Sequence, residues 1–347
     1  MLRRLFTREA LATIPCAVAQ RENWTWWRRR LERPSIADEA RMLAWLALRD
    51  ELRTLDPATL PAALDVRGPG IWGASLRRAD FLHEYDETGL SIEGLWPTPT
   101  GLRSRYLTCP VGSIANARNV ADFSFDITDI DGISNSKSEH RYFASVKDFG
   151  LDFSTYKRAS VDEAGLQQML DHHEVRIVQP RTTDRLGMRL WDGRLFLYNA
   201  GGSHHFAGAA YIAGQLQRPV PLRARLEVIE LNEGAIDWLL SLFLPFLVPK
   251  GIALKLRRLC AEVLGSAYSM RMPGVLAADA TVLLLPHAMN SIAAVSDLLL
   301  TAGVENIRPW FESLVFEQRR NYPVLRQRFP AAFVAIPNAG IASHINV

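Results

Sequence analysis

Cysteine and lysine are scarce in this chain, and long apolar runs are missing. The three cysteines, Cys16, Cys109 and Cys260, stand far apart, forming neither a CxxC pair nor an even set. That excludes a disulfide scaffold and points to a reducing, cytoplasmic setting. The longest apolar run, residues 238–248, contains Ser241 and Pro245 and falls well short of the ~20 residues of a spanning helix. It predicts a buried helix, and no membrane partner is expected. Residues 1–4 are basic and 11–19 apolar, closing on Ala17-Val18-Ala19, but Arg8 and Glu9 interrupt the pattern of a secretory leader. Walker A, GxSxG, HExxH and GxGxxG sequences are all absent, so none of those catalytic classes has a direct sequence case.

Charge of one sign is missing as well. Across 347 residues the formal net charge is +3, which by itself demands neither nucleic acid nor an anionic surface as partner. Only five of the 40 basic residues are lysine. Arginine is the better bidentate ligand for phosphate, although a GC-rich coding bias produces the same skew. The apolar share, 48%, suffices for a large core, and the length suggests about two domains or one with heavy insertions.

The pattern along the chain predicts a mixed α+β fold. Residues 1–60 read as helical, with Met42, Leu43, Leu46 and Leu52 at three- and four-residue spacing and Ser35 as N-cap. Ahead of them, Trp24-Thr25-Trp26-Trp27-Arg28-Arg29-Arg30 is basic and aromatic, which suits a helix with Trp inward and Arg outward. Residues 61–159 form a β-containing region broken by Pro and Gly, with Phe123, Phe125 and Ile127 alternating along a strand and a further strand at 141–147. A helix is expected at 161–173, strands at 175–178, 188–191 and 194–198, a tight turn at Asp192-Gly193, a helix at 206–217 and a strand at 222–231. Residues 236–347 read as mostly helical, with one buried strand at 281–285.

Chemistry concentrates in Gly201-Gly202-Ser203-His204-His205. A strand arrives, two glycines permit a tight turn, and a helix begins. The first turn of a helix presents main-chain N–H groups without intrahelical acceptors, together with a partial positive charge. Glycine lets an anion approach that backbone closely, so phosphate is the natural occupant. A Ser-capped helix after a Gly turn accounts for the same residues without a ligand.

The wider pattern, Tyr198-Asn-Ala-Gly-Gly-Ser-His-His-Phe-Ala-Gly-Ala-Ala-Tyr211 followed by Pro219-Val-Pro-Leu-Arg-Ala-Arg225, resembles the signature of the ParB/sulfiredoxin superfamily over about residues 160–232. The resemblance implies a core of that kind at 160–235 and a nucleotide, ATP or CTP with Mg²⁺, held by Gly201, Gly202, Ser203 and His204. It implies Ser203, His204 and His205 as catalytic candidates. Where the sulfiredoxin turn reads Gly-Gly-Cys-His-Arg, this chain has Ser203 and His205. A hydroxyl cannot imitate a thiolate, so sulfinic-acid repair is excluded.

Asp126, Asp129 and Asp131, with Asp122 nearby, are candidate Mg²⁺ ligands, or else surface acids on a strand edge. The pairs His172-His173 and His204-His205 invite a metal, but adjacent histidines do not share a helix face. His287 follows an apolar strand, a position suited to catalysis or to the edge of a core. The resulting expectation is a nucleotide-binding protein that hydrolyses or transfers a phosphoryl group. The competing readings are a non-catalytic scaffold with a protein partner and a metal-dependent protein acting on nucleic acid.

Overall fold

The computed structural model describes residues 36–61, 70–72, 90–157, 159–179, 182–271, 280–289 and 291–333. The leader-like N-terminus, the Trp24–Arg30 segment, Cys16 and Ser35 lie outside the described residues. In chain order the elements are α1 (Ile36–Arg53), β1 (Ser91–Thr98), β2 (Gly101–Thr108), β3 (Ala115–Asp126), β4 (Gly132–Ile133), α2 (Val146–Lys157) and α3 (Glu163–Leu170). β5 (Arg185–Arg189) and β6 (Arg194–Tyr198) lead into α4 (Ser203–Leu216) and β7 (Pro221–Leu231). Next come α5 (Glu233–Leu242), β8 (Phe243–Pro249), α6 (Lys250–Leu264), β9 (Ala267–Arg271) and β10 (Ala280–Pro286), then α7 (Ile292–Thr301), β11 (Glu305–Asn306) and α8 (Arg308–Arg328). The fold is mixed α+β, as the sequence predicts. No helix among the described residues is long and apolar enough to cross a membrane.

The chain divides into two compact units, each assembled from three stretches. One comprises Met1–Leu64, Thr88–Gly112 and Gly234–Phe311. Its sheet has six strands in the order β11-β8-β10-β9-β1-β2, every pair antiparallel. α6 packs across β9, β1, β10 and β8, and α1 packs on α6. Leu48, Phe246, Leu256, Cys260, Leu283 and Leu299 belong to the core. The buried positions of α6 are Ala253, Leu256, Arg257, Cys260, Ala261, Val263 and Leu264; all but Val263 recur at three or four residues, so one stripe faces the sheet.

The second unit comprises Asp65–Glu87, Ser113–Glu233 and Glu312–Val347. Its five-stranded sheet runs β3-β7-β5-β6-β4, with β7–β5 and β6–β4 parallel and the other pairs antiparallel. Leu222, Ala224, Leu226 and Val228 of β7 are buried in strict alternation, and Phe123 and Phe125 of β3 are buried too. The β5–β6 hairpin closes at the Arg189–Arg194 pair, so its turn takes in residues 190–193 with Gly193 at φ 77°, and the strand expected at 188–191 lies at 185–189. α4 is the central helix of this unit, packed against α2 and α3. Its run of buried small residues, Ala207, Gly208, Ala209 and Ala210, lets both neighbours come close.

Three further local expectations are corrected. Residues 238–248 are not one helix: α5 stops at Leu242 and β8 takes over at Phe243. A strand buried on both faces reads as a continuous apolar run, which periodicity cannot separate from a buried helix. Pro245 would break a helix here. Residues 141–147 hold no strand, because Ser145 opens α2: its hydroxyl accepts from the Asp148 N–H at 3.1 Å and donates to the Asp148 carboxylate at 2.8 Å. Residues 176–178 form a 3₁₀ turn rather than a strand. Helices dominate beyond residue 236, yet that stretch also supplies β8, β9 and β11 beside the expected strand β10.

Candidate functional site

β6 delivers the chain to a turn fixed mainly by side chains. Buried Asn199 donates to the carbonyls of Gly201 (2.9 Å) and Asn135 (3.1 Å) and accepts from the Asn135 N–H at 3.3 Å. Asp184, also buried, accepts from the Ala200 N–H at 3.0 Å. Burial pushes its carboxyl above the usual range, opposed by that N–H and by Arg176. Gly202 then takes the left-handed conformation (φ 69°) as N-cap of α4 and brings no capping side chain. A Cβ at this position would overlap the carbonyl of Glu174, so both the backbone angle and the packing call for glycine. Gly202 and Ser203 are buried, while Gly201, His204 and His205 remain part-exposed.

A second segment converges on the same helix start. β4 runs parallel to β6, and the Ser134 N–H continues that pairing on the Leu197 carbonyl at 2.9 Å. This carries residues 135–138 over the first turn of α4. The buried Ser136 hydroxyl accepts from the Ser138 N–H (3.1 Å) and from the Ser203 hydroxyl (3.0 Å). Ser138 Oγ lies 2.8 Å from His204 Nε2. The His204 ring is wedged between Phe149 (5.1 Å between centroids) and Phe153 (4.8 Å), both on α2. Asp152 lies on the same helix; the Arg141 guanidinium, hydrogen-bonded to it at 2.9 and 3.0 Å from the loop before α2, holds its carboxyl below the ordinary range, and His204 acts in the same direction.

His205 points elsewhere. Its ring stacks face to face on His172 at 3.5 Å and 9°, and meets Phe153 in a T-shaped contact at 5.3 Å between centroids. His173 lies 4.5 Å from His172. The two histidine pairs of the sequence therefore meet, but through ring faces. No group of three His, Cys, Asp or Glu side chains that could hold a metal occurs among the described residues.

The three candidate metal ligands are occupied by the fold. Asp126 Oδ1 accepts from the Thr128 N–H (2.9 Å) and hydroxyl (2.6 Å), and its Oδ2 accepts from the Val220 N–H (2.7 Å). Asp129 accepts from the Asp126 N–H at 2.8 Å, closing a reciprocal cap. Asp131 accepts from the Leu195 N–H (2.8 Å) and pairs with Arg328 (2.9 Å). Burial pushes its carboxyl up, against those two partners. Asp122 pairs with exposed Arg223. His287 sits at the end of β10 with Nε2 3.1 Å from the Leu240 carbonyl. Cys109 and Cys260 are buried and unpaired, the Cys260 thiol pushed up to about 12 by burial.

The structure thus brings Ser203 and His204 together with residues that sequence reasoning passed over: Ser136, Ser138, Asn199 and Asp184. The alternating Ser134, Ser136 and Ser138 directly after a short strand were the available signal. A separate cavity of about 360 Å³, lined by Leu190, Glu230, Leu231, Glu233, Gln318, Arg319 and Tyr322, lies apart from these residues. Its Gln318 and Arg319 are already bonded to Leu231 and Glu233.

Residues 120–324 match the model of the family of unknown function DUF6685, and the chain belongs to that family. The match takes in both strand-borne segments of the site and all of α2 to α4. Comparisons with curated proteins and with solved structures return no match.

Proposed function

We propose that the first turn of α4 binds the phosphate of a nucleotide and that the chain acts on that phosphate, by hydrolysis or phosphoryl transfer. One observation carries this reading. The helix begins on a left-handed glycine with no capping side chain, and the Ser136 and Ser138 hydroxyls and His204 gather at that same turn. Helix N-termini of this kind favour anions through oriented N–H groups and the macrodipole. The likeness of the 198–225 pattern to the ParB/sulfiredoxin signature supports ATP or CTP as the ligand. Asp126, Asp129 and Asp131 are committed to backbone and Arg328, so Mg²⁺ would arrive with the nucleotide.

Thermal unfolding of the full chain with ATP, CTP and GTP, each with and without Mg²⁺, tests the reading. A nucleotide at ~100-fold excess over its dissociation constant stabilises by about 2.7 kcal/mol. No shift with any of the three, at millimolar concentration, removes the nucleotide reading. The scaffold alternative has its own support: Ser203 is buried with its hydroxyl given to Ser136, which makes it a structural residue. An absent shift would leave that alternative standing.

A further inference from the structure

We propose that Ser138 is a nucleophile toward a phosphorus electrophile, with His204 as its general base. The inference rests on the phosphate reading only for the identity of the electrophile. Ser138 Oγ and His204 Nε2 are 2.8 Å apart, within the reach a base needs to accept the proton as the oxygen attacks.

Both partners are held. The His204 ring is packed by Phe149 and Phe153, which limits its rotation and keeps Nε2 on the hydroxyl. The Ser138 main chain is tied to the buried Ser136 hydroxyl, which is itself tied to Ser203 at the first residue of α4. Ser138 is part-exposed, so an electrophile can reach it. The Asp152 carboxylate is electrostatically coupled to His204 and favours the imidazolium formed in the step, while remaining bonded to Arg141. Negative charge developing on the electrophile would face the start of α4, where the dipole is positive.

In the first step Ser138 Oγ bonds to phosphorus and the bond from phosphorus to the leaving oxygen breaks. The hydroxyl proton passes to His204 Nε2 and then to the leaving group. Water then attacks the phosphorus as the same nitrogen takes its proton; the bond from phosphorus to Ser138 Oγ breaks, phosphate leaves, and the proton returns from His204 to Ser138 Oγ. Ser203, the hydroxyl that the turn motif itself offers, keeps a supporting place two hydrogen bonds from the Ser138 main chain, through Ser136.

A fluorophosphonate ester supplies the electrophile whatever the natural substrate: a P–O bond forms, P–F breaks, and the proton leaves with fluoride. Peptide mapping of the labelled wild-type chain should place one adduct on Ser138. Ser138→Ala should lose it. His204→Phe, which keeps an aromatic ring between Phe149 and Phe153 but removes the nitrogen, should slow labelling by about 10²- to 10⁴-fold. Mapping on the wild type needs no variant to fold. An adduct at another serine, no adduct, or unchanged labelling in a folded His204→Phe chain overturns the proposal. The nucleotide shift is read on the same samples. A shift without an adduct overturns the nucleophile and keeps the phosphate site, whereas an adduct without a shift keeps the nucleophile and removes the nucleotide.

Discussion

Among the described residues, the unit built on the six-stranded sheet buries two polar side chains, Arg257 and Ser266. The unit built on the five-stranded sheet buries nine, Asp184, Asn199, Ser136 and Ser203 among them. A buried polar group left without partners costs about 1–3 kcal/mol, so such groups persist only where hydrogen bonds offset the loss of water. In the second unit those four bond to one another or to the turn before α4, and the network fixes a loop, a helix start and an imidazole in register. The first unit relies on apolar packing and places its one buried cation among the described residues, Arg257, between Glu93 and Ser269. The contrast separates a unit held by apolar packing from one that also commits buried polar groups to fixing a turn.

The largest expected difference lies between two left-handed glycines. Gly202 (φ 69°) meets the Glu174 carbonyl, whereas at Gly265 (φ 90°), the C-cap of α6, an added Cβ would have nothing within 4 Å. Alanine at Gly265 should lose about 1–2 kcal/mol from the backbone conformation alone. At Gly202 the overlap adds to this, and about 3 kcal/mol or more is expected. Urea unfolding of both variants measures it, and equal losses would break the contrast.

A smaller difference is expected between the two arginines buried among the described residues. Arg189 is 1% exposed and pairs with Glu227 (21%), while Arg257 is 7% exposed and pairs with Glu93 (34%). Removing one member of a fully buried pair costs about 3–5 kcal/mol. Solvent access to the carboxylates lowers this to about 2–3 kcal/mol for Glu227→Ala and about 1–2 kcal/mol for Glu93→Ala. Each arginine would retain a hydroxyl, Tyr198 at 3.0 Å for Arg189 and Ser269 at 2.6 Å for Arg257, so exposure of the carboxylate sets the order, and a larger loss at Glu93, read by the same urea unfolding, would reverse it.

Asp126→Ala should cost about 2 kcal/mol, since one carboxylate serves three donors on two segments. The loss should be the same in chelator and in excess Mg²⁺. A wild-type chain that Mg²⁺ stabilises and an Asp126→Ala chain that it does not would return these carboxylates to the role of cation ligands.

How far the sequence could be read follows from the range of the interactions. β7 was legible because one of its faces is buried over most of its length, and the existence of the β5–β6 hairpin because Asp192-Gly193 marks a turn, although the turn begins two residues before it. The start of α4 was legible from Gly201-Gly202 and lies within three residues of its expected place. β8 was not, because Phe243 to Val248 is apolar on both faces and carries no period. Ser145 and Asp148 do spell a capping signal, and it outweighed the strand-like run at 141–147. The site was only half visible. Ser203 and His204 are local to the motif, but Ser136 and Ser138 reach them across 67 and 66 residues, and no local pattern encodes that parallel β4–β6 pairing.

The finest test of the contrast is a pH dependence at the turn itself. Burial raises the Asp184 carboxyl above its ordinary value, and the Ala200 N–H, Arg176 and the Ile177 N–H only partly restore it. A carboxyl with a raised folded-state pKa favours the fold while protonated. Its contribution is therefore complete below the unfolded value of about 3.9 and is lost as pH rises through the higher folded value. Asp184→Asn keeps an acceptor for Ala200 and does not titrate. Thermal unfolding of both chains from acid to neutral pH should show wild type losing ground to the variant across that window and holding a constant gap above it. A gap that stays flat throughout, or that moves the other way, would mean that the turn holds its carboxylate without a desolvation cost, and that the polar interior of this unit is better solvated than its burial implies.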